Sequence, residues 1–199
     1  TYQTFKGGEI DAAGCVTGKP VRQNGINGRT EATGRGVYYA IREVFNDESQ
    51  LKRIGATKGI AGKTMVIKGM GNVGSYTGLI SQQEGDVKII GLSEMEGTIY
   101  SEKGIDMQAA LDYRKANGTI LGMPGTVTLN DRGDWAGIEC DILVPAALES
   151  VITEDNAHMV KAKVVAEAAN GPITAEGADI IIKNGGIILY PTDTVWGIG

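Results

Sequence analysis

Between residues 29 and 46 the apolar positions Val37, Ala40, Ile41 and Val44 recur at i, i+3, i+4 and i+7, with Thr30 or Thr33 available as a cap. That spacing places them on one face of an amphipathic helix. The period then changes. Lys63–Lys68 is a short, mostly apolar run that reads as a strand, Asn72–Glu84 reads as a helix closed by Gly85, and Asp86–Leu92 reads as a second strand. Strand, helix and strand in about thirty residues make a βαβ unit, and so a parallel pair with a right-handed crossover. Further on, the pattern predicts a helix near Asp106–Ala116, a strand over Cys140–Val144, a helix from Thr153 with Glu154 and Asp155 in its first turn, and a strand over Lys163–Glu167. Regular alternation of this kind predicts an α/β fold built on a doubly wound parallel sheet with helices on both faces.

Composition narrows the function classes. The chain has 199 residues and 42% hydrophobic content, enough for a sizeable core, and its 30 glycines exceed the usual share. Lys and Arg number 19 against 24 Asp and Glu, a net charge of −5 with no basic block, which argues against a nucleic-acid partner. No apolar run reaches the roughly 18 residues of a membrane span, and the opening residues lack a signal-peptide pattern. Cys15 and Cys140 cannot form a multi-disulfide framework, which makes a reducing, cytoplasmic compartment the expectation. The sequence opens on Thr1 rather than Met and reads as a fragment.

Gly69-Met70-Gly71-Asn72-Val73-Gly74 follows the first strand of the βαβ unit and opens its helix. In that context the G-x-G-x-x-G pattern has a mechanism. Gly69 permits a tight turn, Gly71 lets a pyrophosphate approach the backbone, and Gly74 lets helix and strand pack closely, while the helix N-terminus offers N–H donors to the phosphates. Glu94, twenty residues beyond Gly74 at the end of the second strand, is placed to accept hydrogen bonds from a ribose diol. The expectation is a Rossmann-like dinucleotide site. An acid there, with no Arg in the adjacent Ser93–Gly97 stretch, favours NAD over NADP. Gly62-Lys63-Thr64 precedes a strand rather than following one, so it reads as a turn and not a phosphate-binding loop. The lone His158 reads as a surface residue, and two Cys and one His at these spacings support no metal site.

Five segments, in order, carry a family resemblance: Cys15–Pro20, Gly28–Val37, Gly69–Gly74, Cys140–Ala147 (Cys-Asp-Ile-Leu-Val-Pro-Ala-Ala) and Ala166–Pro172 (Ala-Glu-Ala-Ala-Asn-Gly-Pro). Together they resemble the cofactor domain of glutamate dehydrogenase. The resemblance implies that Thr33 lies beside the nicotinamide amide, that Arg29 reaches toward the substrate, and that Asn72 and Val73 supply phosphate-binding amides. It also implies that Ala146 and Asn170 flank the nicotinamide ribose. The implied reaction is oxidative deamination of L-glutamate to 2-oxoglutarate with hydride transfer to NAD, in an enzyme that is a homo-oligomer. The bland alternatives are that Arg29 is a solvated helix charge and Asn170 a turn former.

Two departures shape the expectation. The family's substrate domain, which the resemblance places ahead of this segment with the catalytic Lys and Asp, is not represented, so no catalytic residue is assigned. Lys6-Gly7-Gly8 is only superficially similar to that Lys motif. The chain alone is therefore expected not to turn over glutamate, and a non-catalytic nucleotide-binding fragment is the competing reading. Second, the helix expected after Pro172 is altered by Gly177, and from about Lys183 the sequence resembles the opening of the threonylcarbamoyl-AMP synthase family. The expected division is thus 1–182 as the NAD-binding domain and 183–199 as a foreign-looking tail. In that tail Ile187–Leu189 is strand-like, paired at a sheet edge or loose, and dispensable for cofactor binding.

Overall fold

The computed structural model describes residues 14, 18–129, 133–191 and 196–198. Lys6 and Cys15–Thr17 lie outside the described residues. A run of apolar residues long enough for one strand recurs along the chain, and each such run enters a single sheet. The strands are β1 (Thr64–Lys68), β2 (Lys88–Ser93), β3 (Thr98–Tyr100), β4 (Val127–Leu129), β5 (Ile142–Pro145), β6 (Val164–Ala166), β7 (Ile187–Pro191) and β8 (Trp196–Ile198). Among the described residues they form one eight-stranded sheet of order β4-β3-β2-β1-β5-β6-β7-β8. The central strands β2, β1, β5, β6 and β7 run parallel, whereas the flanking strands β3, β4 and β8 are joined by antiparallel pairings.

The helices are α1 (Ala32–Val44), α2 (Glu48–Ile54), α3 (Asn72–Gly85), α4 (Met107–Asn117) and α5 (Ala175–Lys183). Successive strand residues point to opposite faces, and each face builds its own core. Met65, Ile67, Ile142 and Val144 pack with Val37 and Ile41 of α1. Val66, Leu143, Val165 and Ile188 pack with Ile181 of α5 and with Trp135 and Ala157 from short 3-10 turns. Burial on both faces explains why these strands read as continuous apolar runs rather than as alternating ones. The doubly wound α/β expectation holds, with three strands added at the flanks through antiparallel pairings.

Local chemistry sets the boundaries. Asp106 caps α4 by accepting from the Ala109 N–H at 2.7 Å, and Asp47 caps α2 through Ser49 and Gln50. Helix α3 does not stop at Gly85. It includes that glycine, where a Cβ would lie 2.9 Å from the Tyr38 ring, and Asp86 makes the left-handed turn instead with φ +50°.

The helix expected from Thr153 is not formed. Asn156 Oδ1 accepts from the Thr153 N–H and Asn156 Nδ2 donates to the Val151 carbonyl, both at 2.9 Å. These side-chain bonds compete with helical ones, and the chain makes only a 3-10 turn over Ala157–Met159. Gly177 does not break α5, which Thr174 caps. A Cβ there would lie 3.1 Å from the Ile152 carbonyl oxygen, so the glycine lets the helix lie close to that strand-like segment. Ile187, Ile188 and Leu189 are buried in β7, which pairs with β6 and carries β8 on its outer side. This run is therefore interior to the sheet rather than at its edge.

Candidate functional site

The loop from β1 to α3 sits where the sheet order reverses, with β2 on one side of β1 and β5 on the other. Open α/β sheets bind ligands at such a switch point, beyond the carboxyl ends of the strands. Gly69 turns the chain there with φ +99°, and a Cβ on it would lie 2.8 Å from the Ala147 Cβ. A Cβ on Gly74 would lie only 1.9 Å from the Gly69 carbonyl oxygen. Gly71 differs from both, since its Cβ would meet no described heavy atom within 4 Å. Two glycines thus close the loop against protein, and the middle one faces open space. No side chain caps α3, so its first amides, including those of Asn72 and Val73, remain available donors with the positive end of the helix dipole behind them.

Two anchors hold this helix. Asn72 Nδ2 donates to the Thr30 carbonyl at 2.9 Å, which ties α3 to the turn ahead of α1. Gly34 of α1 lies directly on Tyr76 and Thr77 of α3. The crossing sets Thr33 on one wall of a cleft of about 470 Å³, opposite the loops that follow β5 and β6. Val73, Ala146, Glu167, Asn170 and Pro191 line the same space. Its volume suits a small-molecule or cofactor fragment. Four expected residues, Thr33, Val73, Ala146 and Asn170, are therefore brought together. Glu167 was not foreseen. Burial pushes its carboxyl above the ordinary value, against a hydrogen bond from the Ile173 N–H that partly offsets the shift.

Glu94 stands at the glycine-loop end of β2 with its side chain only 12% exposed. Its Oε1 accepts from the Met70 N–H at 2.5 Å and lies 3.1 Å from Arg114 Nη1. Lys68 Nζ donates to the Glu94 carbonyl at 2.9 Å and to Ser93 Oγ at 3.3 Å. The stretch around Glu94 contains no Arg, but α4 delivers one from twenty residues away. Nothing local in the sequence marks Arg114. Lys68, a charge ending an otherwise apolar strand, was the one readable signal.

Arg29 lies elsewhere, exposed beside a separate hollow of about 290 Å³ shared with Lys19 and Asn24. His158 is exposed on its 3-10 turn. Cys140 is buried, and burial, reinforced by the Asp141 charge, pushes its thiol up to about 12. Among the described residues no group of three His, Cys, Asp or Glu could hold a metal ion, and no helix is long and apolar enough to cross a membrane.

The arrangement has known counterparts. A model of the glutamate/leucine/phenylalanine/valine dehydrogenase family matches residues 24–195. Over 189 residues the chain is 43% identical to the mitochondrial glutamate dehydrogenase of Dictyostelium discoideum, covering 95% of this chain and 38% of that protein. Over 185 residues it is 43% identical to the NADP-specific glutamate dehydrogenase of Saccharolobus shibatae, covering 92% and 41%. Among solved structures it is similar to the hetero-hexameric glutamate dehydrogenase of Thermus thermophilus in its leucine-bound form, with a TM-score of 0.77 at 27% identity, covering 94% of this chain and 41% of that one. The chain spans about two-fifths of the length of these relatives.

Proposed function

This chain belongs to the glutamate/leucine/phenylalanine/valine dehydrogenase family, and from that premise we propose that it is the dinucleotide-binding portion of an NAD-dependent glutamate dehydrogenase. The observation that carries the reading is the open space at Gly71 beside an uncapped helix N-terminus, continuous in sequence with the cleft wall at Val73. A backbone without a Cβ at that point admits a pyrophosphate, and the residues present fit a nicotinamide dinucleotide. When bound, the dinucleotide supplies a ring that accepts a hydride.

The chain's own residues bind and orient. Amides of Asn72 and Val73 donate to the phosphates. Thr33 lies beside the nicotinamide amide, and Ala146 and Asn170, which line the same cleft, flank the nicotinamide ribose. Glu94 accepts from the adenosine ribose diol, which favours NAD over NADP. L-glutamate is assigned as the substrate; Arg29 stands beside a separate hollow and is proposed to reach it only in the whole enzyme, and the groups that hold or move the amine proton are assigned to a part of the enzyme ahead of residue 1. In the whole enzyme we place the site in a cytoplasmic homo-oligomer. Within the stretch that resembles the synthase opening, we assign a structural role to Ile187–Pro191 and Trp196–Ile198 as strands β7 and β8.

Calorimetric titration with NAD tests this reading. Wild type is expected to bind one NAD saturably, whereas Gly71→Val is expected to melt like wild type yet lose at least about tenfold in affinity, because its new side chain enters cofactor space and not protein. Unchanged affinity in Gly71→Val, or no binding by wild type, would overturn the site. The chain alone is expected to form no NADH from glutamate, and adding the amino-terminal portion of a glutamate dehydrogenase relative is expected to restore turnover. Robust turnover by the chain alone would refute the assignment of the proton-transfer groups.

A further inference from the structure

Helix α4 is fixed before it reaches the site. Gln82 of α3 accepts from the Met107 N–H at 2.8 Å and donates to the Ile105 carbonyl at 2.7 Å, so the start of α4 is bonded to the glycine-loop helix. Its last turn then presents Arg114, whose Nη1 lies 3.1 Å from Glu94 Oε1 and donates to the Met70 carbonyl at 3.1 Å. One guanidinium thus joins the carboxylate to the glycine loop. Both contacts on the Glu94 carboxylate, from Arg114 and from the Met70 N–H, fall on the same oxygen, Oε1. The second oxygen, Oε2, stands outside them.

Other charges stand near the pair, and Arg114 also acts electrostatically on Glu96. Glu96 Oε1 accepts from Thr119 Oγ1 and the Ile120 N–H, each at 3.2 Å. Lys68 Nζ donates to the Glu94 carbonyl. The guanidinium of Arg114 is about one-third exposed and the carboxylate mostly covered, a geometry in which an ion pair held for stability alone gains little.

We propose that Arg114 is the specificity-determining partner of Glu94: it holds the carboxylate that reads the adenosine ribose, and it is the cation that takes a 2′-phosphate once that carboxylate is gone. The inference rests on the dinucleotide reading above. Its physical content is that Glu94 and Arg114 together carry no net charge. Exclusion of NADP then depends on Glu94 occupying the guanidinium, not on unscreened repulsion. An Arg fork matches a phosphate as well as it matches a carboxylate, so freeing it changes the ligand the site prefers.

The test is a double-mutant cycle on the full chain, reading dissociation constants for NAD, NADP and adenosine 2′,5′-bisphosphate at low and high salt. Arg114→Met keeps an unbranched side chain of good helix propensity while removing the charge, and is expected to weaken NAD binding about three- to tenfold, with part of the loss recovered in Arg114→Lys. Glu94→Ala is expected to raise affinity for NADP and for the bisphosphate by at least about tenfold, in a salt-sensitive way. That gain should vanish in the Glu94→Ala, Arg114→Met double variant, a result that a merely structural Arg114 would not produce. Equal NADP gains with and without Arg114, in variants that melt like wild type, would overturn the inference while leaving the dinucleotide site intact. Failure of wild type to bind either dinucleotide would overturn both.

Discussion

Replacing Gly34 with Ala probes the contact that joins α1 to the glycine-loop helix. The added methyl would lie 2.7 Å from the Thr77 amide nitrogen and 2.7 Å from the Tyr76 Cβ, where ordinary contact begins at 3.4 Å. The helices must part by about 0.7 Å, since 3.4 − 2.7 = 0.7. The obstructing atoms are mostly backbone and cannot swing aside. Overpacking of this kind costs about 1–3 kcal/mol, and the better helix propensity of Ala returns about 0.5–1 kcal/mol, for a net loss of about 1 kcal/mol at mid-range. In a chain of this size that lowers Tm by about 2–4 °C.

Gly36 supplies the internal control. It lies two residues on in the same helix, and a Cβ there meets nothing within 4 Å among the described residues. Gly36→Ala should therefore show only the propensity gain and raise Tm by about 1–4 °C. Differential scanning calorimetry of both variants decides the matter, and NAD affinity adds a second readout. Thr33 adjoins Gly34 on the cleft wall, so affinity is expected to fall for Gly34→Ala. If Gly34→Ala melts at or above Gly36→Ala, the helix crossing described here is wrong.

Three further outcomes follow from other parts of the fold. Asp141 bolts the start of β1 to β6, accepting from the Thr64 N–H at 3.0 Å and from Lys163 Nζ at 2.9 Å. Burial alone would raise its carboxyl, but these partners outweigh that effect and hold it below the ordinary value. Its stabilisation is thus full above the ordinary carboxylate value and is lost as pH falls through the lowered folded value, so Asp141→Asn should cost about 1–2 kcal/mol in a denaturant titration at pH 7, with a gap that narrows as the pH is lowered. Cys140, buried and with its thiol pushed up to about 12, should resist thiol reagents in the native chain and react only on unfolding, as followed by mass spectrometry under increasing denaturant. Deleting residues 184–199 removes the buried Ile187, Ile188 and Leu189, about 5–9 kcal/mol of burial as an upper estimate, so the truncated chain is expected to lose cooperative melting and NAD binding together. A truncated chain that melts normally and binds NAD would restore the view of a dispensable tail.

The βαβ unit was legible because its signals are local: apolar runs of strand length, a glycine turn and an acid at a fixed distance. Strands β3 and β4 were not, since three residues carry too little pattern to distinguish a flank strand from a loop. The segment after Thr153 departs from the helical reading because a single side chain, Asn156, accepts from the Thr153 N–H and donates to the Val151 carbonyl, bonds that periodicity does not announce. Ile187–Leu189 was recognised as strand-like, yet its place inside the sheet depends on β8, whose pairing no local pattern announces. In the cleft, Thr33, Ala146 and Asn170 became readable only through the order of motifs along the chain. Arg114 and Glu167 stayed hidden because they matter through neighbours brought close by folding. Gly34 belongs with them, since only the α1–α3 crossing shows why that position admits no side chain.

Amide chemical-shift mapping of the isotope-labelled chain titrated with NAD tests the dinucleotide site most directly. The largest shifts are expected at Gly69–Gly74, Glu94, Ala146, Ala147 and Asn170, with those of Asn72 and Val73 leading because their N–H groups meet phosphate. Titration with adenosine diphosphate ribose, which lacks only the nicotinamide ring, should reproduce the shifts at the glycine loop, Glu94 and Asn170 but cause none at Thr33. Shifts centred instead on the hollow beside Arg29 and Asn24, or no saturable shifts at all, would contradict the assignment of this cleft to a nicotinamide dinucleotide.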